Sequence, residues 1–162
     1  MLICGDVHGK IRQYKNIIKN VEYSVQLGDM GFDYSELNDV SLNHRFIRGN
    51  HENYDITDRH DLGDFGVYTS GDFSAFFVRG AFSIDRAYRT QGIDWWANEE
   101  LSYVQCVEAV ELYEKVKPDI VLSHDCPQSI CEQVFGHYDR PLTRQCLQMM
   151  FEIHQPKIHC FG

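Results

Sequence analysis

Four short segments of this 162-residue chain set ligand-type side chains beside glycines or strand ends: GDVHG, LGD, RGNHE and LSHD. They supply Asp6, His8, Asp29, Asn50, His51 and His124, a set of carboxylate, imidazole and amide donors without a thiolate. Such donors suit hard or borderline divalent ions, Mn, Fe, Zn, Ni or Mg. Two aspartates, one of them shared, can hold two ions about 3.5–4 Å apart, the arrangement that clamps attacking and leaving oxygens in phosphoryl chemistry. Hydrolysis of a phosphate ester is the reaction these residue types fit. Taken singly, each Asp or His is as readily a turn residue bonded to its own backbone or a satisfied histidine. Four such segments in series are far more specific.

For these side chains to meet, their segments must end on one rim. The apolar run MLIC reads as a buried strand ending at Gly5, YSVQLGD as a second ending at Gly28, and RFIRGN as a third ending at Gly49. DIVLSHD and KIHCFG have the same strand-to-polar or strand-to-glycine form. Ile11, Tyr14, Ile18 and Val21 fall at helical spacing, with Lys10, Arg12, Lys15 and Lys19 on the wet side. Further helices are predicted through Val104, Val107, Val110 and Tyr113 up to Pro118, and over about Arg140 to His154. Between them, FGVYTSGDFSAFFVRGAFSID mixes aromatic and β-branched residues with turn formers, which predicts antiparallel strands and a second sheet. The expectation is an α/β fold, one domain over residues 1–162, in which a two-sheet β-sandwich is flanked by helices in four layers. Ligands of α/β sheets bind beyond the carboxyl ends of the strands, where the four segments lie.

Composition narrows the partners. A chain that is 43% hydrophobic and 13% aromatic suits one compact core. Its net charge of −9 repels polyanions, so long nucleic acid and anionic membranes are disfavoured. No run reaches the roughly 20 apolar residues of a membrane span, and MLICGDVHGK lacks the head and apolar stretch of a signal peptide, so a cytoplasmic protein is expected. The six cysteines are then expected to stay reduced, and Cys126 and Cys131 have no second pair at zinc-finger spacing.

The series Asp-x-His, Gly-Asp, Gly-Asn-His-Asp/Glu and a later His resembles the calcineurin-like metallophosphoesterases, small bacterial and phage members among them, over nearly the whole chain. The resemblance implies that one ion takes Asp6, His8 and Asp29 and the second takes Asp29, Asn50 and His124, with manganese the first expectation. It implies attack by a metal-bridging hydroxide, with His51 giving a proton to the leaving oxygen. Arg48 is implied as a phosphate contact, an ion-paired arginine being the competing fate; Arg86 and Arg89 in SIDRAYR are weaker candidates. Trp95 and Trp96 either shape the substrate side or simply pack. The family series closes with Gly-His-x-His, of which only Gly162 is present, so the chain is expected to stop just short of one further histidine for each ion. GDMGFDYSE departs from the Gly-Asp-x-x-Asp-Arg-Gly of protein phosphatases: Phe32 stands where the Asp would fall and Asp33 is one position out. The expected substrate is therefore a small phosphomonoester or phosphodiester, a nucleotide among them, ahead of a phosphoprotein. A non-catalytic scaffold on the same fold and a nuclease of the same family are the rival readings.

Overall fold

Alternation along the strands decides the layering in the computed structural model, which describes residues 1–162. Strands β1 (Leu2–Cys4), β2 (Ser24–Leu27) and β3 (His44–Ile47) form a parallel sheet in that order. A second sheet runs β4 (Phe65–Ser70), β5 (Phe73–Val78), β6 (Ile120–Ser123), β7 (Ile158–Phe161), with β4 and β5 antiparallel and the rest parallel. On β2, Val25 and Leu27 enter a core with Ile47, Ala75, Phe77 and Leu122 from the facing sheet and its neighbours. Ser24 projects to the other face, where its Oγ meets the Tyr14 hydroxyl at 3.4 Å. On β5, Ala75 and Phe77 face inward while Phe76 and Val78 pack outward against Ala109, Tyr113 and Leu147. The period of two along each strand thus builds two apolar faces per sheet, and each face needs a cover.

Helix α1 (Ile11–Ile18) covers the first sheet with Ile11, Tyr14 and Ile18. Helices α2 (Tyr103–Val116) and α4 (Leu142–Ile153) cover the second. The expected sandwich with helices outside is the observed architecture. Parallel strands bring their carboxyl ends level: Leu27 pairs with Ile47, and Val78 with Ser123 and Ser123 with Phe161. No helix is long and apolar enough to cross a membrane, and all six cysteines are free thiols.

Three local readings change. Val21 lies beyond α1, in a turn closed by its N–H on the Ile18 carbonyl at 2.9 Å. Helix α2 starts at a Ser102–Gln105 capping box but buries Cys106, Ala109 and Tyr113, leaving Val104 64% and Val107 39% exposed. Both sets have helical spacing; the thiol packs as a small hydrophobe and decides the face. A short helix, α3 (Gln128–Phe135), was not anticipated, although it follows Pro127 and ends at Gly136 in the left-handed conformation.

The β6–β7 pair carries a pH-sensitive contact. Ser123 Oγ lies 2.5 Å from the Asp125 carbonyl, which takes its proton, so it accepts from His159 Nε2 at 2.7 Å. Burial pushes the His159 pKa down to about 4. A folded-state pKa below the unfolded value of about 6.5 means stability is full above that value and falls as pH drops toward 4. Urea unfolding should therefore give up to about 2 kcal/mol less stability at pH 5 than at pH 7 from this residue, and His159→Gln should flatten that slope.

Candidate metal centre

Asp29 stands two residues past the end of β2 and has φ +58°, a conformation a non-glycine residue holds only when its surroundings fix it. Its carbonyl accepts the N–H groups of Val7 and His8 at 3.1 and 2.7 Å, which ties the loop after β1 to the loop after β2. Its carboxylate is buried. Oδ1 accepts the His51 N–H at 2.8 Å and lies 3.3 Å from His124 Nε2; Oδ2 lies 2.9 Å from His51 Nδ1 and 3.8 Å from His8 Nε2. Burial alone would raise the Asp29 pKa, but the hydrogen bonds from His51 and the charge of His124 outweigh it and hold the carboxyl below the usual range.

His124 is anchored from the opposite side. Its Nδ1 is 2.7 Å from the Leu27 carbonyl, which can only accept, so Nδ1 carries a proton and Nε2 is the nitrogen turned to the cluster. Nε2 faces Asp29 Oδ1 at 3.3 Å and Asn50 Oδ1 at 3.2 Å. Two oxygens and an imidazole nitrogen converging in this way suit a cation, a metal ion or a proton on Nε2, set between them. A histidine anchored through its other nitrogen on a backbone carbonyl is the usual form of a metal ligand.

The ligand atoms fall into two groups, each within 4.8 Å: Asp6, Asp29 and His124, and His8, Asp29 and His51. Asp29 is common to both, while the division differs from the expected one: Asp6 falls with His124 where His8 was expected, and His51 stands with His8. Asp6 Oδ2 also lies 3.3 Å from His8 Nε2, so it reaches both sides. His51 is nearer the ligands than expected, with Nδ1 3.2 Å from His8 Nδ1. The donor set, oxygen and imidazole nitrogen without sulfur, fits divalent metal ions of the kind this chemistry uses.

Of the three arginines, the structure brings one to this rim. Arg89 donates to His51 Nε2 and pairs with Asp85, Nε to Oδ1 at 2.7 Å. Since a guanidinium only donates, His51 Nε2 accepts and its proton sits on Nδ1, toward Asp29. Arg48 is turned away: it is buried, its Nε lies 2.7 Å from Asp61 Oδ2, and its guanidinium stacks on Tyr54 at 5.1 Å. The ion-paired fate won because the loop after β3 runs back beside it and sets Asp61 within reach. Arg86 stacks on Phe82 at 4.4 Å and makes no contact with the ligand cluster. Trp96 packs: it is buried, and its Nε1–H donates to Asp55 Oδ2 at 2.7 Å. Phe32 packs on Trp96 at 5.6 Å and lies edge-on to His51 at 6.3 Å.

Sequence reasoning missed two buried glutamates. Glu52 is fully buried and accepts the Met30 N–H at 2.7 Å and the Tyr34 hydroxyl at 2.5 Å, clamping the loop that follows Asp29; burial pushes its pKa up to about 8. Glu99 holds Ser83, whose hydroxyl touches Asn50. Beside the cluster opens a cavity of about 440 Å³ whose walls include Asn50, His51, Asp85, Arg89, His124 and Gly162.

A model of the family described as calcineurin-like phosphoesterase matches residues 1–162 of the chain. No curated protein matches it.

Proposed function

The chain belongs to the calcineurin-like phosphoesterase family, and from that membership we propose that it hydrolyses a small phosphate ester at a centre of two divalent metal ions, manganese foremost. The observation that carries the reading is the convergence of His124 Nε2, Asn50 Oδ1 and Asp29 Oδ1 on one point of the rim. Asp6, His8 and Asp29 would hold one ion and Asp29, Asn50 and His124 the other. Two such ions, when bound, lower the pKa of water and neutralise charge on the reacting phosphate.

The chain's own side chains orient the rest. His51 is fixed through its backbone N–H and Nδ1 on Asp29, so Nε2 is the atom it turns toward Arg89 and the cavity. A phosphate oxygen is a stronger partner for Arg89 than a neutral imidazole. Drawing the guanidinium onto phosphate frees Nε2 to take up a proton from solvent, with Nδ1–H kept on Asp29, and to pass it to the leaving oxygen as general acid. A cavity of about 440 Å³ suits a nucleotide-sized or smaller ester. The charge of −9 disfavours long nucleic acid.

Metal content and turnover test the proposal, with an aryl phosphomonoester and a diaryl phosphodiester as paired substrates and Mn added. Both this chain and a version continued past Gly162 through His-x-His are assayed. About two ions and turnover in the continued version are expected, with weaker binding in residues 1–162. If both versions stay metal-free and inert, catalysis is excluded and the scaffold reading takes its place. Arg89→Ala should lower kcat/KM about 10- to 100-fold, chiefly through KM, without changing metal content.

A further inference from the structure

Glu99 and Ser83 lie outside every motif of the family pattern and touch no proposed ligand except Asn50. Both are buried: Ser83 is 0% and Glu99 3% exposed. Glu99 Oε1 accepts the Ser83 N–H at 2.8 Å and Oε2 accepts the Ser83 hydroxyl at 2.6 Å. On the far side of that hydroxyl, Asn50 Nδ2 lies 3.2 Å from Ser83 Oγ.

We infer that Glu99, acting through Ser83, is a positioning residue that sets which face of the Asn50 amide is turned to the metal centre. The inference deepens the proposed function and rests on it. A serine hydroxyl has one proton, and an ionised carboxylate can only accept, so that proton goes to Glu99. Ser83 Oγ is left as an acceptor. Its partner on Asn50 must then be the NH2 group, which leaves Oδ1 on the His124 side, 3.2 Å from Nε2. An asparagine in the opposite orientation would aim two N–H donors at the place a cation is to occupy.

Glu99 is itself held. Its carbonyl accepts from the Tyr54 hydroxyl at 3.1 Å, and its N–H donates to the Trp96 carbonyl at 3.1 Å. Across from that carbonyl stands Gly80, where any Cβ would collide with it. The segment between β5 and α2 is thereby wedged against the loop after β3, and Ser83 has no freedom to turn away from Glu99.

Glu99→Gln breaks the logic without changing the shape. The Gln oxygen must still accept the Ser83 N–H, so its NH2 faces Ser83 Oγ and donates. The serine proton is then released toward Asn50, and the asparagine is free to present either face. Ser83→Ala removes the intermediary, whereas Ser83→Thr keeps the hydroxyl.

Mn titration of the full chain, followed by calorimetry and by the EPR signal of free Mn, reads this directly. Relative to the unsubstituted chain, Glu99→Gln and Ser83→Ala should lose about 10- to 100-fold in affinity for one Mn, with the other unchanged, the size expected when the support of a ligand is removed. Ser83→Thr should bind as the unsubstituted chain does. Circular dichroism and thermal unfolding without Mn should differ little for Glu99→Gln, which separates positioning from loss of structure. Unaltered Mn binding in both Glu99→Gln and Ser83→Ala overturns the inference. No Mn binding by the unsubstituted chain, with or without continuation past Gly162, overturns the proposed function and the inference with it.

Discussion

Asp29→Asn is expected to lower hydrolysis by at least about a thousandfold, the upper range for removing one electrostatic group from a preorganised site, while the chain still folds. Asparagine keeps the shape, and its oxygen can still accept the His51 N–H that Asp29 Oδ1 now takes at 2.8 Å. The loss is charge. Asp29 is the one residue common to both ligand groups, so a neutral amide there weakens two ion sites together. Metal analysis should accordingly show both ions depleted. The same substitution changes acid stability with a definite sign. The Asp29 carboxyl is held below its ordinary pKa by His51 and His124 despite its burial. That stabilisation is present above the unfolded value of about 3.8 and is lost as pH falls through the lower folded value. Without metal, the variant should be less stable at neutral pH and should lose less on acidification. Retention of two ions and a tenth of the original rate would show that Asp29 is not the shared ligand.

How much of this was legible depends on whether the deciding contact is local. The segments that converge on the rim could be read because each combines a strand end, a glycine and a polar residue within a few positions, and parallel pairing then brings the ends to one level. The layers could be read because alternation and helical periodicity are local too. Arg48 could not, since the partner that claims it, Asp61, arrives through Leu62 N–H bonding back to the Phe46 carbonyl at 2.9 Å. Arg86 and Arg89 look alike in SIDRAYR, yet they sit three residues apart around the 3-10 turn Arg86–Tyr88, and one reaches His51 while the other covers Phe82. Glu99 carried no signal at all, because its contact with Ser83 joins segments 16 residues apart through no repeat or spacing rule. Glu52 was visible as the last letter of GNHE, but its use as a buried clamp on Met30 and Tyr34 appears only in three dimensions.

Gly49→Ala should be nearly as damaging as Asp29→Asn, for a reason that involves no charge. The backbone at Gly49 is not left-handed, so alanine meets no conformational penalty there. Its Cβ, however, would lie against Asp29 Oδ1, 2.7 Å from the Asp29 backbone nitrogen and 2.7 Å from His124 Nε2. The side chains can rotate away, but the backbone nitrogen cannot. Relief therefore means moving the β3 loop off Asp29 or swinging His124 out of its contact with Asn50, and either opens the metal centre. Overpacking of this kind costs about 1–3 kcal/mol in stability. The larger effect should appear with metal. A ligand at a hundredfold excess over its Kd stabilises by about 2.7 kcal/mol, so the unsubstituted chain should gain resistance to urea when Mn is added. Gly49→Ala should gain almost none. Gly5→Ala is the matched control, because a Cβ there has nothing within 4 Å and no left-handed backbone to strain. If Gly49→Ala responded to Mn as Gly5→Ala does, the close approach of the β3 loop to Asp29 and His124 would not be what shapes the centre.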